Sequence, residues 1–282
     1  MALPQVLKTR GRVPSWREAA VATENRPLIL VTNDDGIRSP GLLAAVRAVR
    51  DLGEVLVVAP RCQQTGAGRG LFTFGEGAVR EEDIGLEGVT AFSVEGSPAH
   101  VVLCALLELA PRKPDLAISG INYGENPGTN VTCSGTIGAA LEAAVGGIPA
   151  LAVSLETARE YHRSHSNEVD FTAAAFFTRL FARRLLAVGL PSDVDVLKID
   201  VPSDATPETP WRMTRISRQR YFHPLRGSRR GEIDYEVRVD LDTLEPDSDI
   251  FALAVERVVA VSPLSLDLTS RVDLDRLAEL LR

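Results

Sequence analysis

The sequence contains little cysteine and no long apolar run, and these absences exclude two classes of protein. Its 282 residues include three cysteines, an odd number without C-x-x-C spacing, so we expect neither a disulfide framework nor a zinc or redox site of that kind. A reducing, cytoplasmic environment is therefore expected. No run of 18 or more apolar residues occurs, so we expect no transmembrane helix and no membrane partner.

Positively charged residues are also fewer than negatively charged ones. Lys and Arg total 31 against 38 Asp and Glu, a formal net charge of −7, so no basic field would attract duplex nucleic acid. A small anion bound by a few local donors remains compatible with this balance. With 45% hydrophobic and 24% charged residues, the chain has the composition of a globular protein with a sizeable core.

Strands and helices alternate along residues 27–201, which we expect to form an α/β catalytic core. Helical spacing of apolar residues follows the first strand from Pro40, and further helices are expected from Pro98, Thr136 and Val169. This alternation predicts a doubly wound, mostly parallel sheet. The short apolar runs typical of buried parallel strands lie at residues 28–31, 55–58, 116–119, 150–154 and 194–199.

The two ends of the chain differ from this core. Residues 1–26 lack the apolar stretch of a secretory signal and are expected to form a polar, flexible extension. Residues 202–282 form a third segment, in which alternating apolar residues around Tyr235 predict a protruding hairpin. We further expect a strand over residues 251–261 and a short terminal helix over residues 274–281.

Polar residues follow several of the predicted strands, at the sheet edge where α/β proteins bind ligands. Asp34 and Asp35 come directly after the first strand, and no Lys or Arg stands in their motif. Two adjacent carboxylates that lose water repel each other, so a divalent cation with oxygen ligands is the natural partner. Mg²⁺, Mn²⁺ or Ca²⁺ is favoured over zinc. The hydroxyl of Thr65 and the amide oxygen of Asn122 could complete the ligand set; alternatively, the Asp pair only forms a turn.

A second candidate site lies where the helix at residue 136 begins. Ser134, Gly135 and Thr136 place free N–H groups, two hydroxyls and the positive end of a helix dipole together, a combination that binds anions. The alternative is that Ser134 or Thr136 only caps the helix.

Other suggestive residues have plainer interpretations. His100 is expected to pack or cap near the start of its helix, and His162, His165 and His223 are expected to be solvated because they lack metal-ligand spacing. The glycines from Gly66 to Gly70 do not match the dinucleotide-binding fingerprint. An arginine-rich stretch precedes the hairpin, and Arg218 or Arg220 could reach an anionic substrate.

Four ordered motifs together resemble the survival protein SurE family of 5′/3′-nucleotidases, with similarity extending over about residues 28–264. They are VTNDDGIxxPG at residues 31–41, VVAP at residues 57–60, SGINxGxN at residues 119–126 and SGTxGAA at residues 134–140. The resemblance implies a phosphomonoesterase on a Rossmann-like sheet, with one divalent cation per subunit and assembly into homodimers or homotetramers through the hairpin and C-terminal segment.

The resemblance also assigns roles to individual residues. Asp34, Asp35 and Asn122 match the family's metal ligands, and Thr65 stands where the family usually has a ligand serine. On the phosphate side we place Asn33, Gly66, Asn126, Ser134, Gly135 and Thr136. The expected catalytic residues are Asp34 or Asp35, which would orient the attacking water, and Asn126, Ser134 and Thr136, which would stabilise the phosphoryl charge.

Three departures from the family pattern lie close to these motifs. The usual Asp-Val-x-Tyr before Ser134 has Asn130 and Cys133 at its ends, and His100 replaces a common Asp. The expected activity is hydrolysis of nucleoside 5′- or 3′-monophosphates. The departures keep open a specialised phosphatase for a sugar-phosphate or nucleoside-like intermediate, and a non-catalytic phosphate-binding protein is a further alternative.

Overall fold

The computed structural model describes residues 26–73, 78–162, 164 and 166–282. The flexible extension predicted for residues 1–26 therefore lies outside the described residues, except for Arg26. Strands in the described part are β1 (Leu28–Thr32), β2 (Glu54–Pro60), β3 (Val79–Glu81), β4 (Thr90–Val94), β5 (Leu116–Tyr123), β6 (Ala150–Leu155), β7 (Val196–Val201), β8 (Trp211–Met213), β9 (Phe222–Arg226), β10 (Ile233–Val237) and β11 (Val259–Leu264). Helices there are α1 (Pro40–Val49), α2 (Pro98–Cys104), α3 (Gly135–Val145), α4 (Thr172–Val188) and α5 (Leu274–Leu280).

One large sheet organises the molecule. Its strand order is β3-β4-β2-β1-β5-β6-β7-β11-β8. The six consecutive strands β4, β2, β1, β5, β6 and β7 are parallel to one another. The chain runs outward from β1 to β2 and β4, then returns to the other side of β1 at β5. This is the Rossmann order, and the predicted doubly wound, mostly parallel α/β fold is confirmed.

Alternation along the strands builds a core on each face of this sheet. In β1, Ile29 and Val31 belong to a cluster that includes α1 and α4, while Leu28 and Leu30 belong to a second cluster that includes α2 and α3. All five residues of β1 are buried, which explains why its sequence is an unbroken apolar run. The helices thus cover both faces and leave the strand ends open.

The C-terminal segment contributes both to the sheet and to a separate hairpin. Strand β11 pairs antiparallel with β7, and β8 pairs with β11. Strands β9 and β10 form a two-stranded antiparallel ribbon, the hairpin predicted from the sequence. Among the described residues, no helix combines the length and apolar character needed to cross a membrane.

The strand predicted over residues 251–261 is wrong in its first half. Phe251–Glu256 forms a short helical turn of π type, and strand β11 begins only at Val259. The N–H of Phe251 donates to the Ser248 hydroxyl at 3.2 Å, and Arg257 ends the turn with a left-handed backbone at φ 55°. An apolar run alone does not distinguish a buried strand from a short helical segment, so this local capping decided the structure.

Candidate functional site

A cavity of about 550 Å³ opens at the carboxyl ends of β1, β2 and β5. The strand order changes direction at this point, because β2 and β5 lie on opposite sides of β1. This is the position at which open α/β sheets bind ligands. The described residues that line the cavity are Asp34, Thr65, Gly66, Asn122, Tyr123, Gly124, Glu125, Asn126, Asn130, Cys133, Ser134, His162, Arg220, Phe222, Pro224, Ile233, Asp234 and Tyr235.

Asp34 and Asp35 are buried carboxylates, exposed by 3% and 1%. Asp34 lines the cavity, whereas Asp35 is not among the described residues that line it. The Thr136 hydroxyl donates to Asp34. The side chain of Gln63 and the backbone N–H of Tyr123 donate to Asp35 at 3.0 and 3.2 Å. These hydrogen bonds hold both carboxylates in fixed orientations.

Burial makes this pair electrostatically unfavourable in its ionised form. Loss of solvent raises the pKa of Asp34 to about 6, despite the hydrogen bond from Thr136. Loss of solvent and the neighbouring Asp34 charge raise the pKa of Asp35 well above its usual range. A divalent cation would stabilise both ionised carboxylates, so the pair has the charge and oxygen chemistry of a hard-cation site.

Neutral oxygens would have to complete such a site. Among the residues that the structure describes, no group of three or more His, Cys, Asp or Glu side chains is placed to hold a metal ion. Asn122 follows a register shift in β5, and its amide nitrogen donates to the carbonyl of Gly124 at 2.6 Å. The amide oxygen of Asn122 is therefore the end that can coordinate a cation.

Thr65 and Gly66 reach the cavity from the loop after β2. The N–H of Gln64 donates to the Asp34 carbonyl at 2.7 Å, which ties this loop to the carboxylate motif. Farther along the loop, Arg69 forms an ion pair with the buried Glu142 of α3 at 2.7 Å. The structure thus places Thr65, Gly66, Asp34 and Asn122 around one cavity, as the sequence predicted.

The start of α3 lies directly against Asp34. A Cβ atom on Gly135 would lie 2.7 Å from the Cβ of Asp34 and 2.8 Å from its Oδ2, so only glycine fits there. Ser134 lines the cavity, and its hydroxyl accepts the N–H of Ile137 at 3.2 Å. Ser134 therefore forms the hydrogen bond that the alternative interpretation, a helix cap, requires. The same residue also lines the cavity in which a ligand would bind.

Two residues placed on the phosphate side occupy other positions. The hydroxyl proton of Thr136 is donated to Asp34, so this hydroxyl cannot also donate to a phosphate. Asn33 is fully buried; its side chain exchanges two hydrogen bonds of 3.1 Å with the backbone of Gly36. The Thr136 hydroxyl therefore orients a carboxylate and the Asn33 side chain shapes the turn, while the phosphate-side roles predicted for these two residues stay predictions.

Asn126 lies at the edge of the cavity on the loop that follows β5. Its side-chain nitrogen donates to the Ser154 hydroxyl at 2.9 Å, and its backbone N–H donates to Asp200 at 2.8 Å. The amide group carries two hydrogens, so one remains for a ligand. Neither Ser154 nor Asp200 was predicted, because only the sheet topology brings β6 and β7 beside this loop.

The hairpin forms an aromatic wall across the cavity, which the sequence analysis missed. Phe222 and Tyr235 lie with ring centroids 5.3 Å apart, and His162 stacks on Tyr235 at 6.0 Å. Nδ1 of His162 and the Tyr235 hydroxyl form a hydrogen bond of 2.7 Å. The prediction that His162 is solvated is therefore wrong, and burial lowers the pKa of its imidazole. His165 lies outside the described residues.

The remaining ionisable residues at the cavity affect its electrostatic potential. Burial raises the pKa of Glu125 to about 8, so this carboxyl is largely neutral at pH 7 and repels an anion little. Arg220, rather than Arg218, lines the cavity. Asn130 and Cys133, two departures from the family pattern, also lie on its wall, where the Asn130 side chain accepts the N–H of Phe222 at 3.3 Å.

Comparison with known proteins identifies the family of the chain. A family model described as Survival protein SurE matches residues 29–223. The 5′-nucleotidase SurE of Thermococcus gammatolerans is 42% identical over 257 residues, which cover 90% of this chain and 95% of the relative. The 5′-nucleotidase SurE of Methanothermobacter thermautotrophicus is 48% identical over 198 residues, covering 68% and 74%. The crystal structure of the SurE protein from Aquifex aeolicus superposes with a TM-score of 0.70 at 30% identity, covering 91% of this chain and all of that one.

Proposed function

Because the chain belongs to the survival protein SurE family, we propose that it is a phosphoric monoester hydrolase that releases phosphate from nucleoside 5′- or 3′-monophosphates. Relatives that share about two fifths of its residues over nine tenths of its length are named 5′-nucleotidases. The observation that carries the proposal is the contact between Asp34 and Gly135. It joins a buried carboxylate pair to a helix N-terminus within one cavity, so a cation and a phosphate would be bound side by side.

The residues that would hold the cation are Asp34, Asp35, Thr65 and Asn122, and we propose Mg²⁺ or Mn²⁺ as the physiological ion. Their oxygens suit a hard divalent cation, and the raised pKa values of the two carboxylates show how strongly their charges need compensation. When bound, such a cation polarises a phosphoryl oxygen and makes a nearby water more acidic.

The protein's own groups then bind and orient the phosphate. Backbone N–H groups of Gly135 and Thr136 at the start of α3 donate to phosphoryl oxygens and add the positive end of the helix dipole. The Ser134 hydroxyl and the second amide hydrogen of Asn126 stabilise the negative charge that develops on the same oxygens. Asp34 and Asp35 orient the attacking water toward phosphorus, with Thr136 and Gln63 holding the carboxylates in place.

The aromatic wall favours a nucleotide over a smaller phosphate ester. The cavity of about 550 Å³ lies in the middle of the range for small-molecule sites and extends beyond the phosphate side to Phe222, Tyr235 and His162. Flat rings of this kind stack on nucleobases with little preference for sequence. A sugar phosphate has no base that could stack on this wall.

A substrate panel tests this assignment. We expect the protein to hydrolyse p-nitrophenyl phosphate and to lose this activity in EDTA, whereas a non-catalytic binder would show none under either condition. Nucleoside 5′- and 3′-monophosphates are then expected to have higher kcat/KM than ribose 5-phosphate or glycerol phosphate. Preference for a sugar phosphate would move the assignment to the alternative phosphatase.

We also propose that the chain assembles as a homodimer or homotetramer through the hairpin and C-terminal segment. Helix α5 supports this proposal, because Leu274, Leu280 and the following Leu281 are all more than half exposed. Apolar side chains grouped in this way mark interaction surfaces in soluble proteins. Light scattering on the purified chain should therefore give two or four times the mass of one subunit.

A further inference from the structure

Three charged side chains lie completely buried behind the loop that carries Asn126. Lys198 and Asp200 are on β7, and Asp249 precedes the helical turn at residue 251; none of the three is exposed. The Lys198 ammonium forms an ion pair with Asp200 and lies 3.0 Å from Asp249. This Lys198 cluster, defined by these three residues, carries two negative charges against one positive charge.

Backbone N–H groups of the loop supply the remaining compensation. Asp200 accepts the N–H of Asn126 at 2.8 Å. Asp249 accepts the N–H of Gly128 at 3.0 Å and that of Ser217 at 2.9 Å. The two carboxylates therefore hold the backbone of the loop after β5 at Asn126 and Gly128.

Asn126 is held at its other end as well. Ser154 is the direct register partner of Asp200 between β6 and β7, and its hydroxyl accepts the side-chain nitrogen of Asn126 at 2.9 Å. One pair of neighbouring strand residues thus fixes both the backbone and the side chain of the same asparagine. This arrangement sets the direction of the second amide hydrogen of Asn126.

Stability alone does not explain a fully buried charge cluster. Removing charges from water is costly, and well-packed apolar residues often replace a buried ion pair without loss of stability. A carboxylate acceptor, however, holds a backbone N–H more strongly than a neutral acceptor does. The cluster therefore fits a requirement for a rigid loop better than a requirement for a stable core.

We propose that Asp200, supported by Lys198, and Ser154 are positioning residues that fix Asn126 for transition-state stabilisation. None of them is expected to touch the substrate. The inference rests on the proposed function, because it concerns the same phosphate. It adds that the hydrolytic rate depends on residues of β6 and β7 that lie outside every recognised motif of the sequence.

A matched pair of double variants isolates the hydrogen bond to the Asn126 backbone. Lys198→Met/Asp200→Asn and Lys198→Met/Asp200→Leu both remove the ion pair, and Asn and Leu have similar size, but only Asn can accept the N–H of Asn126. We expect the Leu variant to have a kcat about tenfold to a hundredfold below that of the Asn variant, with similar KM and similar melting temperature. Equal kcat values in the two variants would overturn the role of Asp200.

A second experiment uses smaller changes that preserve every charge. Ser154→Ala is expected to lower kcat about tenfold in the parent chain and to have no further effect in an Asn126→Ala background, because the two residues act as one unit. The same fold loss in both backgrounds would show a general structural role and overturn the proposal for Ser154.

The two proposals fail in different ways. A parent chain that releases no phosphate from any nucleotide refutes the proposed function. Calorimetric binding of vanadate, whose five-coordinate form resembles the phosphoryl-transfer transition state, would then test positioning without turnover. We expect weaker vanadate binding to Lys198→Met/Asp200→Leu than to Lys198→Met/Asp200→Asn, and equal affinities would refute positioning as well.

Discussion

Single residues in this site perform two tasks at once, and Ser134 shows this most clearly. It caps α3 through the N–H of Ile137 and also faces the cavity. We expect Ser134→Ala to raise the activation free energy by roughly 2–4 kcal/mol, as for loss of one oxyanion donor. Loss of the cap should also cost about 1 kcal/mol of stability. Thermal melts and steady-state kinetics on the same preparation measure both effects.

A matched control exists for the capping effect. Ser97 caps α2 through the N–H of His100 and does not line the cavity. The Ser97 hydroxyl also donates to the Gly70 carbonyl and accepts the N–H of Phe72, so Ser97→Ala should lose at least as much stability as Ser134→Ala and keep the parent kcat. If Ser134→Ala behaved like Ser97→Ala, Ser134 would be a cap and nothing more.

Thr65 replaces the serine usual in the family. If its hydroxyl oxygen binds the cation, the chemistry needs the oxygen and tolerates the methyl group, so Thr65→Ser should retain activity. Thr65→Val keeps the branched shape and removes the oxygen, and we expect weaker Mn²⁺ binding by calorimetry and slower turnover. A changed preference between Mg²⁺ and Mn²⁺ is expected for Thr65→Ser, because Mg²⁺ tolerates displaced ligands poorly. Parent-like Mn²⁺ affinity in Thr65→Val would remove Thr65 from the ligand set.

Burial of Asp34 predicts how the metal-free protein responds to pH. Its folded-state pKa of about 6 lies above the ordinary value of 3.8, so the folded state favours the protonated carboxyl. The stabilisation from this group is complete below pH 3.8 and is lost as pH rises from there through 6. In EDTA, the melting temperature should therefore fall more steeply between pH 4 and 6 in the parent than in Asp34→Asn. If the melting temperatures of the parent and of Asp34→Asn changed equally with pH, ionisation of buried Asp34 would not destabilise the folded state.

At the scale of elements, the proposed function assigns recognition of the base to the hairpin of β9 and β10. We expect Phe222→Ala to raise KM for nucleoside monophosphates by about tenfold, the cost of losing one aromatic partner of a base. KM for ribose 5-phosphate should not change, because that ester has no base. Val237→Ala, on the same hairpin but outside the cavity lining, is the control. An equal rise in KM for both substrates would mean that the hairpin does not recognise the base.

The sequence predicted most elements but not how the hairpin meets the core. Unbroken apolar runs identify β1 and β2, and helical spacing identifies α1, because those signals are local. The half-buried position of His162 depends on Tyr235, a residue 73 positions away. No periodicity encodes such a contact. The same limit explains residues 251–256, where a hydroxyl cap on a short apolar segment outweighed β propensity.

At the scale of the whole molecule, the strand order explains why separate motifs form one site. Because β5 returns beside β1, Asp34 and Asn122 line the same cavity although 88 positions separate them. Alternating strands and helices predict this edge of the sheet, so the candidate metal residues could be found from the sequence. Ser154 and Asp200 could not, since Asn126 meets them only after β6 and β7 have paired in register.

The central claim is that one cation-dependent cavity hydrolyses phosphate monoesters, and phosphate release from a nucleoside 5′-monophosphate tests it most directly. We expect release to stop in EDTA and to return when Mn²⁺ is added back. Asp35→Asn should reduce it about a hundredfold or more at limiting Mn²⁺, because one negative ligand is lost. Asp51→Asn, at an exposed ion pair with Arg179, should match the parent. Release that continues in EDTA, or survives intact in Asp35→Asn at limiting Mn²⁺, would contradict the claim.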